Sequence, residues 1–351
     1  MKAKDLAKLL GVSPATVSLV LNNKPGVSDS LRAQLTEKIL DLGYGSMLKG
    51  RETPAAEDDE QGRPVVVFLS FLDCEVWDQA YAFFPGVLEG VEMEARDRGW
   101  NVLVYHMKCE ENTSVEELFR RAGNVIGVIV QSQMVTPEIE EAARKLDAPL
   151  VTMDSYDPRL DLNSVNVDNR QSMYAVVHYL KDRGHREIGY VGNDLAEDYQ
   201  IDRHLSFRRA ILELGLPDLD EYLFLAGIEK GPYEFQKLAE LFAKAEKMPT
   251  ALVAESDRAA MRTVNALKQC GYRVPEDVSV IGFDNNPLCQ VCEPQLTSVR
   301  NSRHLMGREC VMLLQNLRRL RDAGVRTHRL KTLLPTELVE RDSVADGPLK
   351  G

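Results

Sequence analysis

No run of apolar residues in this 351-residue chain approaches the ~20 that a membrane span needs. The opening MKAKDLAKLL interrupts its apolar residues with Lys4, Asp5 and Lys8, so a secretory leader is not expected and a cytoplasmic protein is. Cysteine is scarce: Cys74, Cys109, Cys270, Cys289, Cys292 and Cys310 are scattered, which excludes a disulfide scaffold and fits reduced thiols. Enzyme motifs are missing too, with no GxxxxGK[ST] loop, GxSxG elbow, HExxH or GxGxxG. The Cys-x-x-Cys of Cys289 and Cys292 has no second pair at zinc spacing and reads as two loop thiols. No two of the six histidines stand at i, i+4, and His185, after the helix-stopping Gly184, reads as a turn residue. Asn112-Thr113-Ser114 matches a glycosylation sequon, which has no meaning in the cytoplasm. No catalytic group, metal or cofactor is expected.

What the chain does have is an ordinary globular composition, 44% hydrophobic and 28% charged, and length for two or three units at roughly 150 residues each. Its net charge of −11 is uneven. Residues 1–50 carry seven Lys/Arg against four Asp/Glu, a balance of +3 that leaves −14 for the rest. Binding to a polyanion rests on local neutralisation, so only this head could face a duplex.

Residues 1–46 read as three short helices. The first carries Leu6, Leu9 and Leu10 on one stripe and stops at Gly11. Ser13 is an N-cap with Pro14 at the first helical position, and the helix that follows points Val17, Val20 and Leu21 inward while leaving Ala15, Ser18, Leu19 and Asn22 more exposed. A short second helix after a Gly-containing turn is a helix-turn-helix signature. Ser28 caps a third helix with Leu31, Leu35, Ile39 and Leu42 at helical spacing, ended by Gly43. Residues 47–63 are polar, with a proline and five acids between Glu52 and Glu60, and read as a linker.

Residues 64–340 alternate apolar runs with amphipathic stretches. The runs at 65–70, 101–106, 125–130, 148–154, 187–192, 250–256 and 278–284 predict buried strands, and 86–98, 137–146, 170–183, 203–214, 234–245 and 257–270 predict helices. Such alternation marks parallel α/β sheets, with room here for two, and ligands of these sheets sit at the carboxyl ends of strands. Residues 341–351 read as a tail.

The segment KDLAKLLGVSPATVSLVLNNKPGVSDSLRAQLTEKILDLGY resembles the DNA-binding head of the LacI/GalR family of bacterial transcriptional regulators. NVDNRQSMYAVVHYLKDRGHREIGYVG, the pair Arg203 and Phe207, VPEDVSVIGFDN, PQLTSV and LPTELVERDSV are similar to blocks of that family in the same order. The resemblance spans nearly the whole chain. It implies an all-α helix-turn-helix head plus an α/β periplasmic-binding-protein-like body of two doubly wound parallel-sheet lobes, a homodimer, and a small-molecule effector between the lobes. It further implies a regulator, most simply a repressor, of double-stranded operator DNA. The effector is a sugar by family resemblance, with a purine or nucleoside as the alternative. A cytoplasmic ligand- or partner-binding protein with a degenerate head is the other reading.

Carried over by residue, the resemblance places Pro14, Ala15, Ser18 and Leu19 toward bases and Ser13, Thr16, Asn22 and Lys24 toward phosphates. Leu19 departs from the arginine or other polar residue often found there, and with it goes a bidentate guanine contact worth ~1–3 kcal/mol. After Gly43-Tyr44 the family's leucine-bearing hinge helix is replaced by GSMLKGRETP, with Arg51 near the expected place, Thr53 in place of the leucine, and Met47 and Leu48 as alternative wedges. For the effector, the resemblance gives Arg203, Asp284 and, where the family has Asn-Asp, Ser256 and Asp257. Asp154 ends a predicted strand, and Trp77, Tyr81, Phe83 and Phe84 lie in the loop after the first strand, where aromatic faces could cover a ligand's apolar side.

Overall fold

The structure is a computed structural model of the chain and describes residues 6–7, 10–22, 24–41, 62–71, 77–107, 114–131, 137–155, 162–194, 198–217, 220–227, 235–325 and 329–348. In the head, Leu6 and Ala7 are helical, followed by α1 (Pro14–Leu21) and α2 (Asp29–Asp41). The Ser13 hydroxyl accepts the Thr16 N–H at 3.0 Å, and Pro14 follows where no N–H is needed. Leu6, Ala7, Val17, Val20, Leu21, Leu35 and Ile39 are buried together, which is the inward face read for α1. Leu31 is different. It is 37% exposed, because the buried stripe of α2 runs through Leu35 and Ile39, while Arg32 reaches back to the carbonyl oxygens of Leu19 and Lys24. Leu9, Leu42, Gly43, Met47, Leu48, Arg51 and Thr53 lie outside the described residues, as does the linker up to residue 61.

The chain divides into two compact units, one of Met1–Met153, Leu160–Val165 and Ser302–Thr332, the other of Asp154–Arg159, Asn166–Asn301 and Leu333–Gly351. The strands of the first sheet are β1 (Val65–Phe71), β2 (Asn101–Met107), β3 (Val125–Gln131), β4 (Leu150–Met153), β5 (Asn163–Val167) and β11 (Lys331–Leu334), in the order β2-β1-β3-β4-β5-β11. Those of the second are β6 (Ile188–Gly192), β7 (Leu223–Leu225), β8 (Ala251–Ala254), β9 (Ser279–Phe283), β10 (Thr297–Asn301) and β12 (Thr336–Val339), in the order β7-β6-β8-β9-β10-β12. The two orders are the same. The pairs β1/β2, β1/β3, β3/β4, β4/β5, β6/β7, β6/β8, β8/β9 and β9/β10 are parallel, and β12 closes the second sheet antiparallel to β10. Strand order reverses direction at β1/β3 and at β6/β8, which makes both sheets doubly wound.

Helices α3 (Trp77–Arg96), α4 (Val115–Ala122) and α5 (Pro137–Lys145) belong to the first unit, as does the 20-residue α10 (Arg303–Asp322). Helices α6 (Asn169–Asp182), α7 (Asp198–Glu213), α8 (Gln236–Lys244) and α9 (Asp257–Gln269) belong to the second. Helix α3 starts well before the expected residue 86, because Pro85 lies inside it. A proline removes one hydrogen bond without necessarily ending a helix, and nothing in WDQAYAFF breaks one.

The strands that apolar runs do not reveal have polar residues in buried places. In β5, NSVNV, Asn163, Ser164 and Asn166 are all buried; Asn163 donates to the Leu150 carbonyl at 3.1 Å and Asn166 to the Ser155 carbonyl at 2.8 Å. Strand β10, TSVRN, is alike. Residues 341–348, expected as a tail, pack into the second unit: the Ser343 hydroxyl is buried, donates to the Val280 carbonyl at 2.6 Å and accepts the Thr297 N–H at 2.9 Å. His185 is likewise built in, between Thr250 Oγ1 at 2.9 Å and the Ala345 carbonyl at 3.0 Å. Among the described residues no helix is long and apolar enough to cross a membrane.

Candidate functional site

On α1 and its flanks, Ser13, Pro14, Ala15, Ser18, Asn22 and Lys24 are exposed, and Thr16 and Leu19 are half-buried. The face is small and mostly neutral, with no charged residue in the first or last turn of the helix. Ser13 and Thr16 also share a hydroxyl–hydroxyl bond at 2.8 Å, and Asn22 Nδ2 donates to the Ser18 carbonyl at 2.8 Å, so each end of the helix is tied by its own side chains. Gly26, at φ 117°, stands in a backbone conformation that favours glycine, and a Cβ there would lie 3.2 Å from Leu19 Cδ1.

The second unit gathers the charged candidates: Asp257 and Asp284 follow strands of its own sheet, Asp154 follows β4 of the first sheet, and Arg203 stands on α7. Arg203, on α7, is 3% exposed. Its position comes from Tyr190 of β6, whose ring stacks on His204 at 5.0 Å and meets Phe207 at 5.1 Å, pinning α7 to the sheet. The guanidinium lies over Phe283 at 3.5 Å from the ring centre, donates through Nε to Asn169 Oδ1 at 3.2 Å, and donates through an NH2 group to the Glu255 carbonyl. Asp284 follows β9 at φ 101° and accepts from Asn301 Nδ2 at 3.0 Å. Asp154 follows β4 at φ 51°, and burial pushes its carboxyl up to about 6, with Arg203 opposing and Asp284 adding to the rise.

Asp257 and Ser256 have mainly structural partners. The Asp257 carboxylate accepts the Asn286 N–H, the Ser298 hydroxyl and the Cys289 thiol, joining the ends of β8, β9 and β10. Burial, followed by the charge of Asp284, pushes Asp257 up to about 7. A Cβ on Gly282 would stand 2.4 Å from Asp257 Oδ1, so this clamp requires glycine in β9. The Ser256 hydroxyl caps α9 by accepting the Ala259 N–H at 3.2 Å. Cys289 is buried with a thiol raised far above its ordinary range, chiefly by burial, and Cys270, Cys289, Cys292 and Cys310 form no disulfide. Cys74, Cys109, Asn112 and Thr113 lie outside the described residues. Trp77, Tyr81, Phe83 and Phe84 fall within α3 rather than in the expected loop, and their side chains also lie outside the described residues. Among the described residues no group of His, Cys, Asp and Glu is placed to hold a metal ion.

Glu255, Gln200, Asn193, Asn169, Phe283 and Asn301 complete this region without having been singled out from sequence. Glu255, 5% exposed, accepts the Asn193 N–H at 3.0 Å and Gln200 Nε2 at 2.8 Å, and burial raises its carboxyl despite those bonds. The signal existed: Glu255 is the first residue after β8, where the strand-end rule points.

Comparison with known proteins agrees with this architecture. Residues 2–45 match the family of bacterial regulatory proteins of the lacI type, and residues 177–344 match the periplasmic binding protein-like domain. The HTH-type transcriptional repressor CytR of Escherichia coli (strain K12) is 28% identical over 316 residues, covering 89% of this chain and 88% of CytR. The fold is similar to that of the transcriptional regulator CelR in its cellobiose complex, at 24% identity and a TM-score of 0.62 over 98% of this chain and 99% of that one. It is also similar to a LacI family transcriptional regulator from Enterococcus faecium with bound ribose, at 20% identity and a TM-score of 0.65 over 81% of this chain and all of that one. With a head of the lacI type followed by two doubly wound sheets of the binding-protein kind, the chain belongs to the LacI/GalR family of bacterial transcriptional regulators.

Proposed function

We propose that this protein is a cytoplasmic homodimeric repressor whose affinity for operator DNA is set by a sugar bound at the carboxyl ends of the strands of its second sheet. The observation that carries the effector half is Arg203: a buried guanidinium stacked on Phe283, flanked by Asp154, Glu255 and Asp284, at the end of a doubly wound sheet. Carboxylates and a guanidinium direct hydrogen bonds to ring hydroxyls, and an aromatic face supports the flat group among them. Sugars in the solved relatives, cellobiose and ribose, support the same class. In the head, Pro14, Ala15, Ser18 and Leu19 on α1 face bases, with Ser13, Thr16, Asn22 and Lys24 toward phosphates. Residues 1–46 form the reader, 47–63 the linker and 64–340 the sensor.

A thermal-shift panel tests the effector class, since a ligand of the folded state raises its melting temperature by mass action. Sugars are expected to raise it. A panel in which purines or nucleosides do so and sugars do not overturns the sugar assignment. Leu19, a half-buried apolar side chain where a polar base-reading one is often found, favours the second reading, a head that no longer discriminates sequences. A salt series separates the two, because a specific reader keeps its sequence preference as affinity falls with salt, and a degenerate head shows none.

A further inference from the structure

Helix α7 has two faces of opposite use. Arg203, Ser206, Phe207, Ala210 and Ile211 are buried on its inward side. On the outward side Ile201, Leu205 and Leu212 are 45, 59 and 63% exposed. At the helical 100° per residue these three positions fall within about 40° of one another, so they form one apolar stripe. A surface helix ordinarily turns polar residues to water, and a contiguous apolar stripe there marks a surface that another body covers.

Helix α6 widens the stripe. Asn169 Nδ2 donates to Asp202 Oδ2 at 2.9 Å near the start of both helices, and Lys181 Nζ donates to the Leu214 carbonyl at 2.8 Å near their ends, so α6 and α7 run parallel and side by side. Tyr174, exposed on α6, therefore stands beside the middle of the stripe. The charges along the groove balance. Glu213 accepts from Arg209 at 2.7 Å and from Arg170 at 3.3 Å, and Asp202 makes two acids against two bases. The whole chain carries −11, so copies repel over much of their surface, and a neutral apolar face is where that repulsion is weakest. The same neutrality gives no hold to a polyanion.

The pattern is its own complement. Asp202 and Arg209 lie equally far on either side of a point between Leu205 and Ser206, and Ile201 and Leu212 nearly so. Antiparallel pairing of α7 with α7 of a second copy, about a two-fold axis at that level, sets Leu205 against Leu205. It also turns each Ile201 toward the copy's Leu212 and brings each Asp202 level with the copy's Arg209. An apolar centre with opposite charges exchanged across the axis is what an isologous interface requires.

A second exposed apolar pair, Leu288 and Val291, stands in the loop between β9 and β10. The two surfaces lie on opposite faces of the second sheet: Tyr190 of β6 meets Phe207 of α7, whereas its neighbour Val191 packs in the cluster that holds Cys289, next to Leu288. A homodimer has use for one isologous face, and a chain with one on each side builds beyond a dimer.

We propose that the outward face of α6 and α7 is a self-association surface, which pairs α7 antiparallel with α7 of a second copy and joins homodimers into four-chain particles. This rests on the homodimer reading above and adds a contact to it.

Sedimentation of the full chain over a concentration series tests it. The wild type is expected to pass from two chains to four as concentration rises. Leu205→Asp and Leu212→Asp should stay at two chains with unchanged circular dichroism, since both side chains are exposed. Arg209→Glu, which sets an acid level with the copy's Asp202, should weaken the four-chain particle by about tenfold at low salt and by less at high salt. A wild type that never exceeds two chains leaves the face to another occupant and overturns the proposal, as does a four-chain particle that both leucine variants leave intact. Leucine variants that fall to single chains make this the homodimer's own face and overturn the added contact. Single chains of the wild type at every concentration overturn the homodimer reading and the proposal together.

Discussion

Helix α1 presents solvent with Ser13, Ala15 and Ser18, small neutral side chains on a frame whose own ends are capped, while the carboxyl end of the second sheet buries Arg203 among acids that depend on it. The two regions respond to change for different reasons. At α1 an exposed side chain contributes little to the fold, so a substitution there alters what a partner sees. At the sheet end, removing one group leaves others buried without compensation, so stability and ligand binding change together.

Arg203→Ala sharpens that contrast most. It removes the guanidinium from Asn169, the Glu255 carbonyl and Phe283, and should destabilise the second unit by about 3 kcal/mol or more, measured by urea denaturation, while removing the ligand-induced thermal shift. Equal stability and an unchanged shift would break the comparison.

Acidity comes next. The folded chain holds Asp154 at about 6 and Asp257 at about 7, against an ordinary value of 3.8, so it keeps protons that the unfolded chain releases. The contribution of these two groups is therefore fully present below about pH 4 and is lost as pH rises through 6 and 7. Denaturation at about pH 5 and about pH 8 should show the second unit gaining from these groups at the lower pH, and the gain should shrink in Asp257→Asn. A gain of the same size in that variant would contradict the assignment.

In the head the effects are smaller and of another kind. Leu19→Arg should change which duplexes a random library yields, by ~1–3 kcal/mol at one base position and toward guanine, with little change in the melting of the chain. Ser13→Ala should destabilise α1 by about 1 kcal/mol through loss of the cap, seen as faster amide exchange of Thr16, and leave the second unit untouched.

The regions also differ in how far the amino-acid order discloses them. The head is local: Ser13, Pro14 and the spacing of Val17, Val20 and Leu21 identify a capped helix and its inward face, because all of these signals lie within ten residues. Strands β1, β3, β8 and β9 are apolar and visible as runs. Strands β5 and β10 are not, because their buried Asn163, Asn166, Thr297 and Ser298 are polar residues whose burial is offset by partners distant in the chain. The same distance hid the site's real divisions. Ser256 stands just before the predicted helix at 257–270, where a serine caps, but nothing near Asp257 says that it clamps strand ends, or that Glu255, two residues earlier, joins the Arg203 network. Asn301 owes its place beside Asp284 to the pairing of β9 with β10.

The most direct measurement is the affinity of the purified full-length protein for a duplex selected from a random library, at one fixed salt concentration, with and without a saturating ligand, in wild type and in Arg203→Ala. The wild type should prefer that duplex over random DNA and change its affinity roughly 5–150-fold on adding ligand, whereas Arg203→Ala should bind the duplex comparably and not respond. A wild-type chain that shows no duplex preference, or one whose preference is indifferent to every ligand that stabilises it, would contradict the coupling of a DNA-reading head to a charged sensor site.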